Sequence, residues 1–352
     1  MIEIADVPDA LTPAWLTAAL AAHLDGAVIT DVGRSSVGTG QMCDSVRLTL
    51  TYDRPSPGPT SVIAKLPAAD PTSRATALQL RSYEIEVRFY QQLAPVLPIR
   101  TPAVFHADID PATASFVLLL EDLAPAEQGD QLGGCTVERA ATAVDELVKL
   151  HAPRWGDPAL DDVEWLHRDP DGSRTFMLGL LPMLWQGFRE RYAERLGDDV
   201  HEVGDALFAN LERYLGADTS PWTVTHGDYR LDNLLFGGSS PIAVVDWQTC
   251  AHAPALGDVA YFIGAGLLAD DRRAHEDDLV RRYHAGLVAT GIDAYGWDRC
   301  WHDYRRNTVG GLIMAIAASM LVERTERGDE MFMVMAHRHA RHALDLDAPA
   351  AF

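Results

Sequence analysis

Asp228, Asn233 and Asp246 lie in VTHGDYRLDNLLFGGSSPIAVVDWQ, residues 224–248, among strongly apolar runs. Asp228 and Asn233 are five residues apart, and Asp246 follows thirteen residues later at the end of a strand-like run. A loop followed by a hairpin would bring groups at this spacing to one place. Asn233 and Asp246 are then hard oxygen donors suited to Mg²⁺, an ion that takes few protein oxygens and completes its shell with substrate phosphate. Asp228 would face an incoming hydroxyl as base or orienter. Phosphoryl transfer needs this division, with a metal to neutralise phosphate charge and a carboxylate to align the nucleophile. In the same stretch His226 reads as a brace for the loop, Asp232 as a solvent-facing or turn-forming residue, and Arg230 as a phosphate contact or a surface ion pair.

The elements that must position these groups differ between the two parts of the chain. Thr12-Pro13 opens a helix, with a capping hydroxyl followed by proline at the first helical position, and Leu16, Leu20 and Leu24 share one face. Val46, Leu48, Leu50 and Tyr52 alternate with polar residues as a half-buried strand does, and residues 61–66 form another. The spacing predicts a helix over 76–93 and a hairpin over 103–120 around Asp110-Pro111. Residues 123–134 are loop-like, and beyond them the pattern is helical: 137–151, 176–196, 200–215, 256–268, 274–290 and a long C-terminal stretch. The strong strand signal there is the hairpin 231–245 around Gly237-Gly238-Ser239-Ser240. The expected organisation is a small sheet-rich N-terminal lobe, residues 1–122, and a larger, mainly helical lobe, residues 123–352, with the ligand site between them.

His226 to Asn233, followed by Val244-Val245-Asp246-Trp247-Gln248, resembles the catalytic segment of the aminoglycoside phosphotransferase and choline kinase superfamily. The Asp-Trp-Gln ending and Gly257-Asp258-Val259-Ala260-Tyr261-Phe262 most resemble its ecdysteroid-kinase-like (CHK-like) branch. The resemblance runs from Gly33 to Phe262 and implies a bilobal, protein-kinase-like α+β fold. It implies that Asp228 is the catalytic carboxylate, that Asn233 and Asp246 bind Mg²⁺, and that His226 and Asp258 support the loop. Lys65, in Val62-Ile63-Ala64-Lys65, is similar to the strand lysine that holds the α- and β-phosphates of ATP in kinases. Its implied ion-pair partner is Glu86, ahead of Phe89-Tyr90, in preference to Glu84. Gly38 to Ser45 would cover the phosphates, with Gly38, Gly40 and the Ser45 hydroxyl, although it lacks the third glycine of G-x-G-x-x-G. Residues 116–123 are similar to the strand entering the family's hinge, which places Glu121 and Leu123 beside adenine.

The implied reaction is transfer of the ATP γ-phosphate to a hydroxyl of a small molecule. A catalytically silent nucleotide-binding protein is the rival reading. The acceptor stays open among an aminoglycoside, a choline-like amine, a sterol-like alcohol and a hydroxyacyl-CoA. Protein substrates fit poorly, because eleven residues between Asp246 and Asp258 leave no long activation segment. A net charge of −22 argues against a nucleic-acid surface, which would be basic. Four scattered cysteines without a CxxC pair suggest a reducing cytoplasm. The N-terminus has no signal-peptide pattern, and the most apolar window, 309–322, is too short to span a bilayer. His337, His339 and His342 read as basic residues of a helix C-terminus rather than metal ligands, and Met331, Met333 and Met335 as core.

Overall fold

The computed structural model describes residues 2–38, 42–166, 170–216 and 220–352. It divides into two compact units: Met1–Val96 with Thr101–Ala126 and Val245–Thr249, and Leu97–Arg100 with Glu127–Val244 and Cys250–Phe352.

In the first unit the Thr12 side chain accepts the N–H of Trp15 at 3.2 Å, and Pro13 begins helix α1 (Pro13–Ala19). Leu16, Leu20 and Leu24 are buried against one face of an antiparallel sheet. The sheet has the order β1-β2-β3-β5-β4, from β1 (Ile29–Ser36), β2 (Cys43–Tyr52), β3 (Ser61–Pro67), β4 (Val104–Asp110) and β5 (Ser115–Glu121). Val46, Leu48 and Leu50 point into this core while Thr49 and Thr51 are exposed, as the alternation requires. Each such buried leucine or valine contributes about 1.5–3 kcal/mol relative to exposure.

The helix expected over 76–93 is broken. Asp70 caps α2 (Pro71–Gln79) by accepting the Ser73 N–H at 2.7 Å, and the chain then turns at Arg81, whose φ is 57°. A new helix, α3 (Ser82–Arg88), follows and ends in a π-helical turn, Phe89–Leu93. The left-handed Arg81 costs about 1–2 kcal/mol. The break redirects α3 so that Tyr83, Glu86 and Val87 are all buried.

The second unit is mainly helical. Its α-helices are α4 (Val137–His151), α5 (Pro170–Arg191), α6 (Asp198–Ala209), α7 (Leu211–Gly216), α8 (Leu256–Gly266), α9 (Ala269–Ala289), α10 (Trp297–Asn307), α11 (Gly310–Leu321) and α12 (Glu326–Asp345). Two small sheets complete it: β6 (Glu127–Gln128) with β8 (Leu234–Phe236) and β9 (Ile242–Val244), and β7 (Trp222–Thr225) with β10 (Ala251–Pro254). Positive φ at Gly237 and Gly238, 83° and 78°, lets the β8–β9 hairpin turn. The core joins Phe188, Val203 and Leu207 with Leu312, Ile316 and Met335. Met333 and Met335 are buried within it, while Met331 packs at its edge. Among the described residues, no helix is long and apolar enough to cross a membrane.

Candidate active site

The residues singled out in the sequence fall into two groups, one in each unit. In the first unit β2 and β3 run antiparallel with Ser45 opposite Lys65. Lys65 Nζ donates to Glu86 Oε1 at 2.6 Å and to Asp246 Oδ1 at 3.1 Å. Glu84 instead accepts from Arg81 Nε at 2.9 Å, so Glu86 is the partner of Lys65. Burial works against the Lys65 ammonium, but the Asp246 and Glu86 carboxylates outweigh it and hold its pKa well above the ordinary lysine value. Burial pushes the Cys43 thiol beside this cluster up to about 12, so it stays protonated.

Asp246 has a φ of 67°, in the left-handed region that is uncommon for residues other than glycine but more open to aspartate than to most. The residue after it is firmly held. Trp247 is fully buried, stacks on Phe89 with ring centroids 3.7 Å apart, and donates its backbone N–H to Glu86 Oε1 at 3.2 Å.

The other first-unit positions are placed by hydrogen bonds. The Tyr83 hydroxyl donates to the Met42 carbonyl at 2.6 Å and accepts the Ala68 N–H at 3.0 Å, fixing the start of β2. Gly38 has a φ of 76° with open space around it, so its backbone conformation calls for glycine. Gly40 lies outside the described residues. Glu121 accepts the Ala103 N–H at 3.0 Å, and the Leu123 carbonyl accepts the Ala126 N–H at 2.9 Å. Between them Asp122 accepts both Arg47 Nε, at 2.7 Å, and Arg47 Nη2, at 3.0 Å, tying the end of β5 to β2.

In the second unit β7 and β10 pair with Val224 opposite His252. This register sets the loop after β7 beside the start of α8. Asp258, in the first turn of α8, accepts the His226 N–H at 2.7 Å and the Gly227 N–H at 2.9 Å. His151 Nε2 is 3.2 Å from the same carboxylate, and His151 Nδ1 is 2.8 Å from the Tyr283 hydroxyl. Burial opposes the Asp258 charge, yet these bonds hold its carboxyl below the usual range. His226 Nδ1 in turn accepts the Asp228 N–H at 3.2 Å. Asp258 and His226 thus hold the loop by its backbone.

The Asp228 carboxylate receives donors on both oxygens. Tyr261 donates its hydroxyl to Oδ1 at 2.7 Å, Asn233 Nδ2 donates to Oδ2 at 2.9 Å, and Arg230 Nε sits across the two at 3.1 and 3.0 Å. Burial and the Asp228 charge push the Tyr261 phenol well above its ordinary pKa, so it remains a donor. A carboxylate offers about four lone-pair positions. Three donors make four contacts with them here, two on each oxygen.

Asp232 is not solvent-facing. It is buried, its carboxylate accepts Arg230 Nη1 at 2.6 Å and the Gln131 N–H at 3.1 Å, and its carbonyl accepts Gln128 Nε2 at 2.6 Å. Gln128 and Gln131 come from the stretch 123–134, and Gln131 Oε1 also accepts the Leu231 N–H at 2.9 Å. The histidines of α12 differ from solvated C-terminal residues too: His339 and His342 are fully buried.

Sequence reasoning assigned no role to Tyr261 or Gln131. Tyr261 follows Asp258 by three residues, so both lie on one face of α8, and that spacing carried the signal. Gln131 sits in an aperiodic loop, where no pattern marks a residue that folds back.

An antiparallel five-stranded sheet carrying a paired lysine, together with a helical unit that braces an Asp-x₄-Asn loop, defines a kinase-like phosphotransferase. The chain belongs to the phosphotransferase enzyme family, APH, whose sequence model matches residues 56–305. A putative aminoglycoside phosphotransferase from Ralstonia eutropha superposes with a TM-score of 0.53 at 16% identity, covering 94% of this chain and 97% of that one. The GDP complex of aminoglycoside 2′-phosphotransferase-IIIa gives a TM-score of 0.52 at 12% identity, covering 92% and 97%. An ethanolamine kinase from Plasmodium vivax gives 0.53 at 11% identity, covering 87% and 82%. At these identities the likeness is one of fold. No curated protein matches the chain.

Proposed function

We propose that this chain is an ATP- and Mg²⁺-dependent kinase that moves the γ-phosphate to a hydroxyl of a small molecule. The observation that carries the reading is the Asp228 carboxylate, fixed on both oxygens by Tyr261, Arg230 and Asn233. In this reading Asp228 aligns the acceptor hydroxyl and takes its proton. The hydroxyl oxygen bonds to the γ-phosphorus, the bond to the β–γ bridging oxygen breaks, and ADP leaves. Lys65 holds the α- and β-phosphates, with Glu86 keeping its ammonium in place. The stretch from Gly38 to Ser45 covers the phosphates, and the main chain at Glu121 and Leu123 meets adenine.

The donor set suits Mg²⁺. The Asn233 amide nitrogen donates to the Asp228 carbonyl and carboxylate, which leaves Asn233 Oδ1 for a cation, and Asp246 supplies a carboxylate oxygen. When bound, Mg²⁺ would neutralise charge on the transferring phosphate.

A nucleotide complex of a fold relative, and the aminoglycoside and ethanolamine named for others, support a nucleotide donor and a small acceptor. The Asp246-Trp247-Gln248 ending supports the CHK-like branch, and the scattered cysteines support a cytoplasmic setting. The test is ADP release from Mg·ATP over a panel of hydroxyl compounds: aminoglycosides, choline-like amines, sterol-like alcohols and hydroxyacyl-CoA. Acceptor-dependent release supports the kinase. Tight ATP binding with no release over the whole panel supports the silent alternative.

A further inference from the structure

Helix α12 lies beyond the family match, yet it reaches the loop that carries Asp228 at several points. Arg327 Nη2 is 3.5 Å from Asp232 Oδ1, and Arg230 Nη1 donates to Met331 Sδ at 3.1 Å. Arg338 donates to the carbonyls of Gln131, Leu132 and Ala265 at 3.0, 2.7 and 2.7 Å. The most deeply placed contact is made by His339. Its ring lies nearly parallel to that of Tyr261, with centroids 5.4 Å apart and planes 8° apart.

His339 is a costly residue for this position. It is fully buried, and the Thr308 main chain lies beside it. Neither ring nitrogen completes a hydrogen bond of normal geometry among the described residues. A buried polar group left in this way calls for a reason. The shape of the slot supplies one. A Cβ on Gly264 of α8 would stand 2.7 Å from His339 Nδ1, and a Cβ on Gly311 of α11 would collide with the ring. Two glycines therefore leave a flat space, and the ring that fills it faces Tyr261. On its other side Tyr261 donates to Asp228 Oδ1 at 2.7 Å.

We propose that His339 and Tyr261 are positioning residues for the phosphotransfer: His339, seated between Gly264 and Gly311, steadies the Tyr261 ring, and the Tyr261 hydroxyl fixes the plane of the Asp228 carboxylate. This rests on the reading of Asp228 as the group that aligns the acceptor. Arg230 Nε alone straddles both oxygens and leaves the carboxylate free to rock about that N–H. Tyr261 on one oxygen and Asn233 on the other stop the rocking. Burial lowers the pKa of His339 to about 3, so its ring is neutral at physiological pH and adds no charge near Asp228.

The test uses the full chain, Mg·ATP and the acceptor on which the unmodified protein releases ADP fastest. Tyr261→Phe keeps the ring and the stack but drops the hydroxyl. It should lower kcat roughly ten- to hundredfold, the scale of a small misplacement at the reacting atoms, with the ATP KM held within about twofold. His339→Ala should lower kcat in the same direction. In the double variant the losses should not multiply, because both act through one hydrogen bond. His339→Phe, which keeps a flat ring without nitrogens, should restore kcat to within about threefold, and it stands in if the alanine variant does not fold.

The proposal is overturned if Tyr261→Phe keeps kcat within about twofold, if the two losses multiply, or if a folded His339→Phe is as slow as Tyr261→Phe. Asp228→Ala in the same assay separates the failures. If it is inactive while Tyr261→Phe is fully active, the positioning role alone falls. If Asp228→Ala is itself active, the phosphotransfer reading falls with it.

Discussion

Trp247 donates its backbone N–H to Glu86 Oε1 at 3.2 Å, on the same oxygen that takes Lys65 Nζ at 2.6 Å. One buried carboxylate therefore joins β3 to the segment that carries Asp246. Asp246, with its positive φ, is followed directly by a residue pinned by this bond and by the stack on Phe89.

Glu86→Gln should weaken both ends of this link. The buried ammonium loses a charged partner, and a variant of this kind typically costs about 1–3 kcal/mol. Denaturant unfolding should show that loss together with weaker ATP binding. Unchanged stability and affinity would show that the link does not order the cluster.

Asp258→Ala removes the acceptor for two backbone N–H groups and for His151. The expected cost is about 2–4 kcal/mol, with kcat falling more than the ATP KM rises, because the damage lies in the loop that carries Asp228. The pH dependence has a definite sign. The folded carboxyl lies below its ordinary value. Its stabilisation is present above about pH 4 and is lost as pH falls through the lowered folded pKa. Comparing unfolding of the two proteins at pH 7 and below pH 4 checks this: the gap between them should narrow in acid.

His339 gives a second pH signature. Its ring titrates near 6.5 when unfolded and at about 3 when folded, because burial and the neighbouring His342 and Arg338 disfavour the charged form. Between those values the unfolded chain binds the extra proton, so stability falls as pH drops from about 6.5, by up to about 1.4 kcal/mol per pH unit. His342, also lowered mainly by burial, acts in the same direction. His339→Phe should remove its share of the slope between about pH 6 and 5, where ordinary carboxylates do not titrate. An unchanged slope would place the ring in contact with solvent.

Gly311→Ala should destabilise the fold by about 1–3 kcal/mol, since its Cβ meets a rigid buried ring. Gly179→Ala in α5, where nothing lies within 4 Å of the added carbon, should stabilise by about 0.5–1 kcal/mol. Thermal unfolding of the pair tests whether the glycine slot around His339 is as tight as the structure has it.

The strands and most helices were legible because their periodicity is set by one buried face. Val137–His151 appears as read, since Thr136 caps its start and apolar residues recur at helical spacing. The break at Arg81 was not legible, because the run around it contains good helix formers and no glycine or proline. The pairing of Lys65 with Glu86 was legible only through a resemblance, since helical spacing by itself left Glu84 in play. Of the two readings of Asp232, the turn-forming one fits its place in the turn Leu231–Asn233, and the solvent-facing one failed because Gln128 and Gln131, from a stretch about 100 residues away, cover it. Local pattern cannot reveal such a contact, and the same holds for the stack of His339 on Tyr261.

In the proposed reaction Asp228 aligns a hydroxyl for phosphate transfer. The direct measurement is transfer of labelled γ-phosphate from Mg·ATP to the acceptor, by the unmodified chain and by Asp228→Ala, with ATP binding measured alongside. The first should give labelled product and ADP in equal amounts. The second should bind ATP nearly normally, with transfer slower by roughly a thousandfold or more. Transfer by Asp228→Ala within a few-fold of the unmodified rate would contradict that role for Asp228.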